Sequence, residues 1–217
     1  MNYWKSLPKD MSPNGHRFVV NRWYKYQGKL EMCRKGYHCS QNIIDAMGYV
    51  PCEWLAQVEV RGEHLSQEDK ECWQEMRIIK RWRWTKPMSL KLAIFAAELT
   101  LKNYEKEYPD DPRPRQAIEA ARKVLKADTA QNRLAAHVAA DAAHAAYMAA
   151  GAAHAADVAA NVAADAADVA AHAAHAAYVA YVAADVAYVA ADAAARNKIL
   201  SQCHNYIVKN LILEGEK

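Results

Sequence analysis

Hydrophobic and polar residues alternate over residues 54–61, WLAQVEVR: Trp54, Ala56, Val58 and Val60 fall on one side, Leu55, Gln57, Glu59 and Arg61 on the other. The same period runs through residues 73–84, WQEMRIIKRWRW, setting Met76, Ile78, Trp82 and Trp84 on one face and Arg77, Arg81 and Arg83 together on the opposite one. A period of two is the signature of a strand, because successive side chains point to opposite sides of a sheet. The two runs are therefore expected to pair as an antiparallel hairpin, with RGEHLSQEDKE as a long connecting turn. Phe18–Tyr26 is a third expected strand, and Ser40–Met47 a short helix capped by Ser40.

The period then lengthens. Pro87 suits a first helical turn, and beyond it Met88, Leu92, Phe95 and Leu99 form one stripe while Leu90, Ile94 and Leu101 form another. Such a helix is buried on two sides. It stops before YPDDPRP, where Asp111 can cap a following helix that carries Pro112 in its first turn and turns Ala117, Ile118, Ala121, Val124 and Leu125 inward. From residue 135 to 195, 35 of 61 residues are alanine, punctuated by Asp, His, Tyr, Asn and one Gly at a mean spacing of 3.44 residues. Alanine is the strongest helix former and the spacing is helical, so helix is expected throughout. As one rod the tract would reach about 90 Å at 1.5 Å per residue, so folding back into several helices is the expectation. A closing helix, Arg196–Leu213, can dock through Ile199, Cys203, Tyr206, Ile207 and Leu211.

Composition divides the chain in the same place. All six tryptophans lie in the first 84 residues, and the alanine excess starts near Ala93. The expected fold class is α+β: a small, aromatic-rich mixed domain at 1–86, followed by an all-helical, alanine-rich bundle at 87–217. The net charge of +3 hides a strong asymmetry, since residues 1–86 hold 15 Lys+Arg against 10 Asp+Glu, while residues 135–195 hold six aspartates and no Lys or Arg. A sign division of this kind often marks an interaction surface. No apolar run separates Lys5, Lys9 and Arg17, and the alanine tract is too polar for hydrocarbon, so neither a secretion signal nor a membrane span is expected. Five cysteines, four of them between Cys33 and Cys72, suit reduced thiols in a cytoplasm better than a disulfide framework.

Two stretches carry a family likeness. Residues 30–60, LEMCRKGYHCSQNIIDAMGYVPCEWLAQVEV, hold a Gly-aromatic-His turn, a short helix and a strand of the form A-x-V-x-V. They resemble an uncharacterised domain common in phage and prophage proteins. Residues 109–125, PDDPRPRQAIEAARKVL, with the Ala/His tract behind them, resemble an alanine-rich helical family of immunity proteins. This chain departs from that pattern in a longer tract punctuated by Asp and Tyr. Neither resemblance supplies a chemistry for particular residues. Together they imply a phage or prophage origin and a binding or neutralising role.

Candidate sites follow from residue chemistry. Cys33, His38, Cys39, Cys52 and Cys72 could ligate zinc, but no CxxC pair exists and buried free cysteine is the commoner outcome. The Gly36-Tyr37-His38 turn has a loose likeness to the nicotinamide-holding turn of ADP-ribosyltransferases, with Glu59, Glu63 or Glu75 as the catalytic carboxylate; a small-core histidine explains it as well. Arg77, Lys80, Arg81, Arg83 and Lys86, interleaved with Trp82 and Trp84, could grip nucleic acid or form a solvated strand face. Asp141, Asp157, Asp165, Asp168, Asp185 and Asp192 could present phosphate-like charge to a nucleic-acid-binding partner, or serve as the wet stripe of soluble helices. His137, His144, His154, His172 and His175 add a weaker metal alternative. No catalytic residue, cofactor or metal is expected. The expectation is a cytoplasmic, non-enzymatic, anti-CRISPR-like inhibitor that binds a bacterial protein or protein–nucleic-acid complex through Arg77, Arg81, Arg83 and the aspartates. Toxin immunity and NAD-dependent ADP-ribosyl transfer are the alternatives.

Overall fold

The computed structural model describes residues 2–13, 17–50, 52–150 and 193–212. The fold is mixed α+β, an N-terminal antiparallel sheet domain followed by helices, and it divides into two compact units, Met1–Thr85 and Lys86–Lys217.

The first unit holds strands β1 (Tyr3–Leu7), β2 (Tyr24–Lys25), β3 (Tyr37–Cys39), β4 (Trp54–Ser66) and β5 (Glu71–Arg83), with a short helix α1 (Ile43–Met47). The alternating runs do form the hairpin, but each strand is longer than its pattern. The expected long loop contracts to a tight turn, closed by Gln67 N–H donating to the Lys70 carbonyl at 2.8 Å. The third strand shrinks to two residues, because Asn21 adopts a left-handed backbone (φ 64°) that interrupts an extended run. Helix α1 is capped by Asn42, whose side chain accepts from Ile44 N–H at 2.9 Å, and not by Ser40.

Ser40 has a different task. One edge of β1 pairs with β4, and the other bonds to Ser40, with Trp4 N–H to Ser40 O at 2.8 Å and Ser40 N–H to Trp4 O at 2.9 Å. Since β3 leads into Ser40 and pairs with β5, the sheet runs β1–β4–β5–β3 and returns to β1. It is a curled, closed sheet. Its interior is filled by Tyr3, Leu7, Met11, Phe18, Tyr24, Cys39, Ala56, Val58, Met76 and Ile78.

Closure needs bends, and two register shifts in the hairpin supply them. At the first, Gln57 pairs with Lys80 and Val58 with Ile78, which leaves Ile79 as an extra residue on β5. At the second, Gly62 and Glu63 stand opposite the single residue Gln74, and Gly62 takes φ 87°. A Cβ at Gly62 would meet the Gln74 side chain, its Oε1 at 2.9 Å and its Cβ at 3.2 Å. At Gly36 (φ 117°) it would come within 2.5 Å of the Cys72 sulfur and 2.8 Å of Leu30 Cδ2.

The second unit holds α2 (Lys86–Glu107), α3 (Arg113–Lys126), α4 (Ala130–Ala150) and α5 (Ala193–Tyr206), the last continuing as a π-helix over Ile207–Ile212. One expected stripe of α2 is buried, with Leu90, Ile94 and Leu101 each at most 7% exposed; of the other, Leu92 is buried and Met88, Phe95 and Leu99 are half-buried. Helix α3 turns Ala117, Ile118, Ala121 and Val124 inward. Helix α4 packs beside α3 and buries Ala136, Ala140 and Ala143, a small-residue ridge that permits close approach. Phe95 of α2 stacks on Tyr206 of α5 at 4.2 Å. Asp111 lies one residue before the α3 cap, which is Pro112, yet its carboxylate still takes the Arg113 N–H at 3.1 Å. It also accepts from the Tyr104 hydroxyl at 2.7 Å and the Arg113 guanidinium at 2.6 Å. These bonds hold its pKa well below the usual carboxylate range.

Two stability tests follow. Gly36→Ala should lower the denaturant midpoint more than Gly62→Ala, since backbone strain is shared but the clash at Gly36 is closer and falls on the buried Cys72 sulfur, at a cost of about 1–3 kcal/mol. Asp111→Asn should destabilise by about 1–2 kcal/mol near neutral pH, as expected for charge-assisted hydrogen bonds. Asp111 stabilises above its unfolded pKa, near 3.9, and loses that stabilisation as pH falls towards its lower folded value. Wild-type and mutant melting temperatures should therefore converge in acid.

Candidate functional site

Residues paired across an antiparallel ladder point to one face, so the register assigns every hairpin side chain. Arg77 pairs with Glu59 and Arg61 with Glu75, on the outer face. Arg77 binds the Glu59 carboxylate at 2.5 Å, Arg61 binds Glu75 at 2.6 Å, and Lys25 reaches Glu75 at 3.3 Å. Both guanidinium groups lie against Trp23, at 4.0 Å for Arg61 and 5.0 Å for Arg77. The Glu75 pKa is lowered, chiefly by its bond to Arg61.

Beyond Ile79 the alternation is offset by one. Arg81 stands opposite Ala56 and Arg83 opposite Trp54, so both project on the interior-facing side, at the rim. Arg81 lies over the Trp54 ring at 4.4 Å and donates to the Met11 sulfur. The expected common face of Arg77, Arg81 and Arg83 is therefore not formed. Likewise Met76 and Ile78 face in, while Trp82 stands opposite Leu55 on the outer side, 6.0 Å from Trp4. Of the three arginines, Arg81 and Arg83 are exposed, and Arg77 is engaged with Glu59 and Trp23.

Asp141 is exposed on α4, as is His137. Asp157, Asp165, Asp168, Asp185 and Asp192 lie outside the described residues, as do His154, His172 and His175. The five thiols are unbridged: Cys33 is exposed, Cys52 half-buried, and Cys39, Cys72 and Cys203 buried. Burial pushes the Cys39, Cys52 and Cys203 pKa values up to about 12. Among the described residues no three His, Cys, Asp or Glu side chains are grouped to hold a metal, and no helix is long and apolar enough to cross a membrane.

The sequence pattern missed a constellation along the β1–β3 seam. The Trp4–Ser40 bridge sets Lys5 beside Cys39, and Lys5 Nζ donates to the His38 carbonyl at 2.7 Å. Burial holds the Lys5 pKa down to about 8. His38 Nε2 accepts from the Cys33 N–H at 2.9 Å. Desolvation, then the charges of Lys5 and Lys70, lower the His38 pKa to about 4. A cavity of about 230 Å³ opens over this seam, with Lys5, His38, Ser40, Tyr49 and Lys70 in its lining. Lys70 lies over the Tyr49 ring at 4.2 Å, and the Tyr49 hydroxyl donates to Asp69. Glu59, Glu63 and Glu75 do not line it. At the mouth of the sheet, Glu71 is 8% exposed and accepts from Gln41 at 2.7 Å and from Trp73 Nε1 at 2.8 Å. The inward period of β1 was hard to read because Lys5 stands between Tyr3 and Leu7.

Because folding lowers the His38 pKa below its unfolded value of about 6.5, the unfolded chain binds the proton first. Stability should fall as pH drops from about 6.5 to about 4, and His38→Gln should flatten that slope in pH-dependent chemical unfolding.

No curated protein and no solved structure matches this chain. Residues 1–89 match the family described as "Domain of unknown function (DUF7666)", so the N-terminal sheet unit is similar to an uncharacterised domain.

Proposed function

We propose that the chain is a non-enzymatic binding protein of phage origin that acts in the bacterial cytoplasm, blocking a defence or nucleic-acid machine as an anti-CRISPR-like inhibitor does. The observation that carries this reading is the disposition of charge. The outer-face carboxylates that could serve an enzyme, Glu59 and Glu75, are bound to arginines, whereas Arg81, Arg83 and Asp141 are exposed to a partner. The opposed net charges of residues 1–86 and 135–195 favour a partner with both basic and acidic surfaces, such as a protein–nucleic-acid complex.

Toxin immunity is the second reading, and PDDPRPRQAIEAAR is what favours it. In this chain Asp111 and Arg113 of that string join Tyr104 in the turn between α2 and α3, while Arg115, Gln116, Glu119 and Arg122 of the same string are exposed. Transfer of ADP-ribose has less to support it, since the seam cavity brings His38 together with lysines and none of the three candidate glutamates.

The test is co-purification of the tagged chain from a bacterial host, with phage plating on strains carrying defined defence systems. Recovery of a defence component, together with phage protection, is expected. Arg83→Glu should reduce that capture at low salt and leave melting unchanged, because an exposed charge contributes to encounter and little to folding. Arg77→Glu should instead lower stability through loss of the Glu59 pair. Capture of no defence component and protection against no system would overturn the proposal; a toxin recovered in their place would establish the immunity reading.

A further inference from the structure

We propose that the rim formed by Trp54, Arg81 and Arg83 binds single-stranded nucleic acid, with a base stacked on the Arg81 guanidinium and a phosphate held by Arg83. This rests on the reading of the chain as a binding protein and names the component of the partner that meets the rim.

The hairpin uses its arginines in two ways. Arg61 and Arg77 each bind a carboxylate, Glu75 and Glu59, that cancels their charge. Arg81 and Arg83 have no carboxylate partner among the described residues, and both are exposed. The extra residue at Ile79 puts them on the face of Trp54 and Ala56. There Arg81 is held in place before any partner arrives. It lies 4.4 Å from the Trp54 ring centroid and donates to the Met11 sulfur. Trp54 is itself fixed, because its indole N–H donates to the Lys9 carbonyl at 3.3 Å. Two carboxylates lie nearby. Asp10 accepts the Ser12 N–H and is offset by its exposed neighbour Lys9. Glu53 bonds through its backbone to Leu7 and Trp84, extending the ladder, so its side chain turns to the face opposite Trp54.

Lys9, Arg81 and Arg83 against Asp10 favour an anion, and the stack decides which kind. Trp54 covers one face of the Arg81 guanidinium. The other face is open to a nucleobase, since bases stack on arginine planes as they do on aromatic rings. An acidic peptide would use the charge and leave that face empty. Bases in a duplex are already stacked and paired, which selects a single strand. Arg81 and Arg83 are two positions apart, about 7 Å at the usual strand rise, so a base and a neighbouring phosphate are within reach together.

Fluorescence anisotropy of the full chain with a labelled oligothymidylate tests this, beside duplex DNA of the same length and a polyglutamate peptide. The single strand should bind saturably at low salt and more tightly than the duplex, with log affinity falling linearly against log salt concentration. Arg83→Gln should flatten that slope by about 0.7, the share of one phosphate contact on a single strand. Arg81→Lys keeps the charge and loses the plane, so it should retain the slope and weaken binding about tenfold. Thermal melting should show both variants folded, because substitutions at exposed positions change stability little. Absence of saturable strand binding would overturn the proposal, as would wild-type affinity in Arg81→Lys, since the stack is what selects a nucleobase. Polyglutamate binding as tightly as the strand, charge for charge, would assign the rim to an acidic protein surface instead. A chain that binds no strand yet recovers a defence component from the host would sink this inference and leave the proposed function standing.

Discussion

Two backbone hydrogen bonds between Trp4 and Ser40 turn an ordinary antiparallel sheet into a closed one. Without them β1 would end the sheet, and the side chains of Tyr3 and Leu7 would face an open trough. With them, the inward series of β1, β3, β4 and β5 meets around a single core, and the seam itself becomes a place where polar groups gather. Lys5 comes beside Cys39, His38 lies within reach of two ammonium charges, and Ser40 is fixed on both sides. Closure costs regularity elsewhere. The hairpin has to bend, and it does so with one extra residue at Ile79 and another at Gly62–Glu63.

Those bends decide which charges reach solvent. Alternation in WQEMRIIKRWRW is visible in the sequence, and the hairpin it predicts is present. What a period-two reading cannot see is a bulge, because an inserted residue changes no residue type. It shifts the phase by one, and Ile79 reads as an ordinary apolar strand position. Everything after it changes sides, which is why Arg77 parts from Arg81 and Arg83 and why Trp82 leaves Met76 and Ile78. The short strands were illegible for another reason. In Tyr3–Leu7 the inward positions are Tyr, Lys and Leu, and β3 is only three residues long. Their existence is fixed by partners distant in sequence rather than by local pattern.

The helices were easier to read, since their buried stripes repeat over several turns. The Leu90, Ile94 and Leu101 stripe of α2 and the inward face of α3 follow the apolar spacing. The cap of α3 was nearly right: Asp111 supplies the carboxylate, but Pro112 is the capping residue, so the Asp engages from one position earlier and gains Tyr104 as well. The seam cavity was not legible at all. Its lysines, Lys5 and Lys70, are 65 positions apart in the sequence and carry no motif. Only His38 stood out, and on its own a histidine after a glycine turn fits many roles.

Closure also changes how the first unit meets its own kind. A strand with an unused edge invites another chain to extend the sheet, the first step towards insoluble assemblies. Here β1 is occupied on both edges, β2 offers only two residues, and β5 lies between β4 and the shorter strands. Among the described residues, the stretch of β4 beyond Val58 has no second strand beside it. That stretch carries Arg61, Glu63 and the kinked backbone of Gly62. A flat, uncharged strand seeking to join would find alternating charge and a bent ladder, so this open edge is a poor template for self-association.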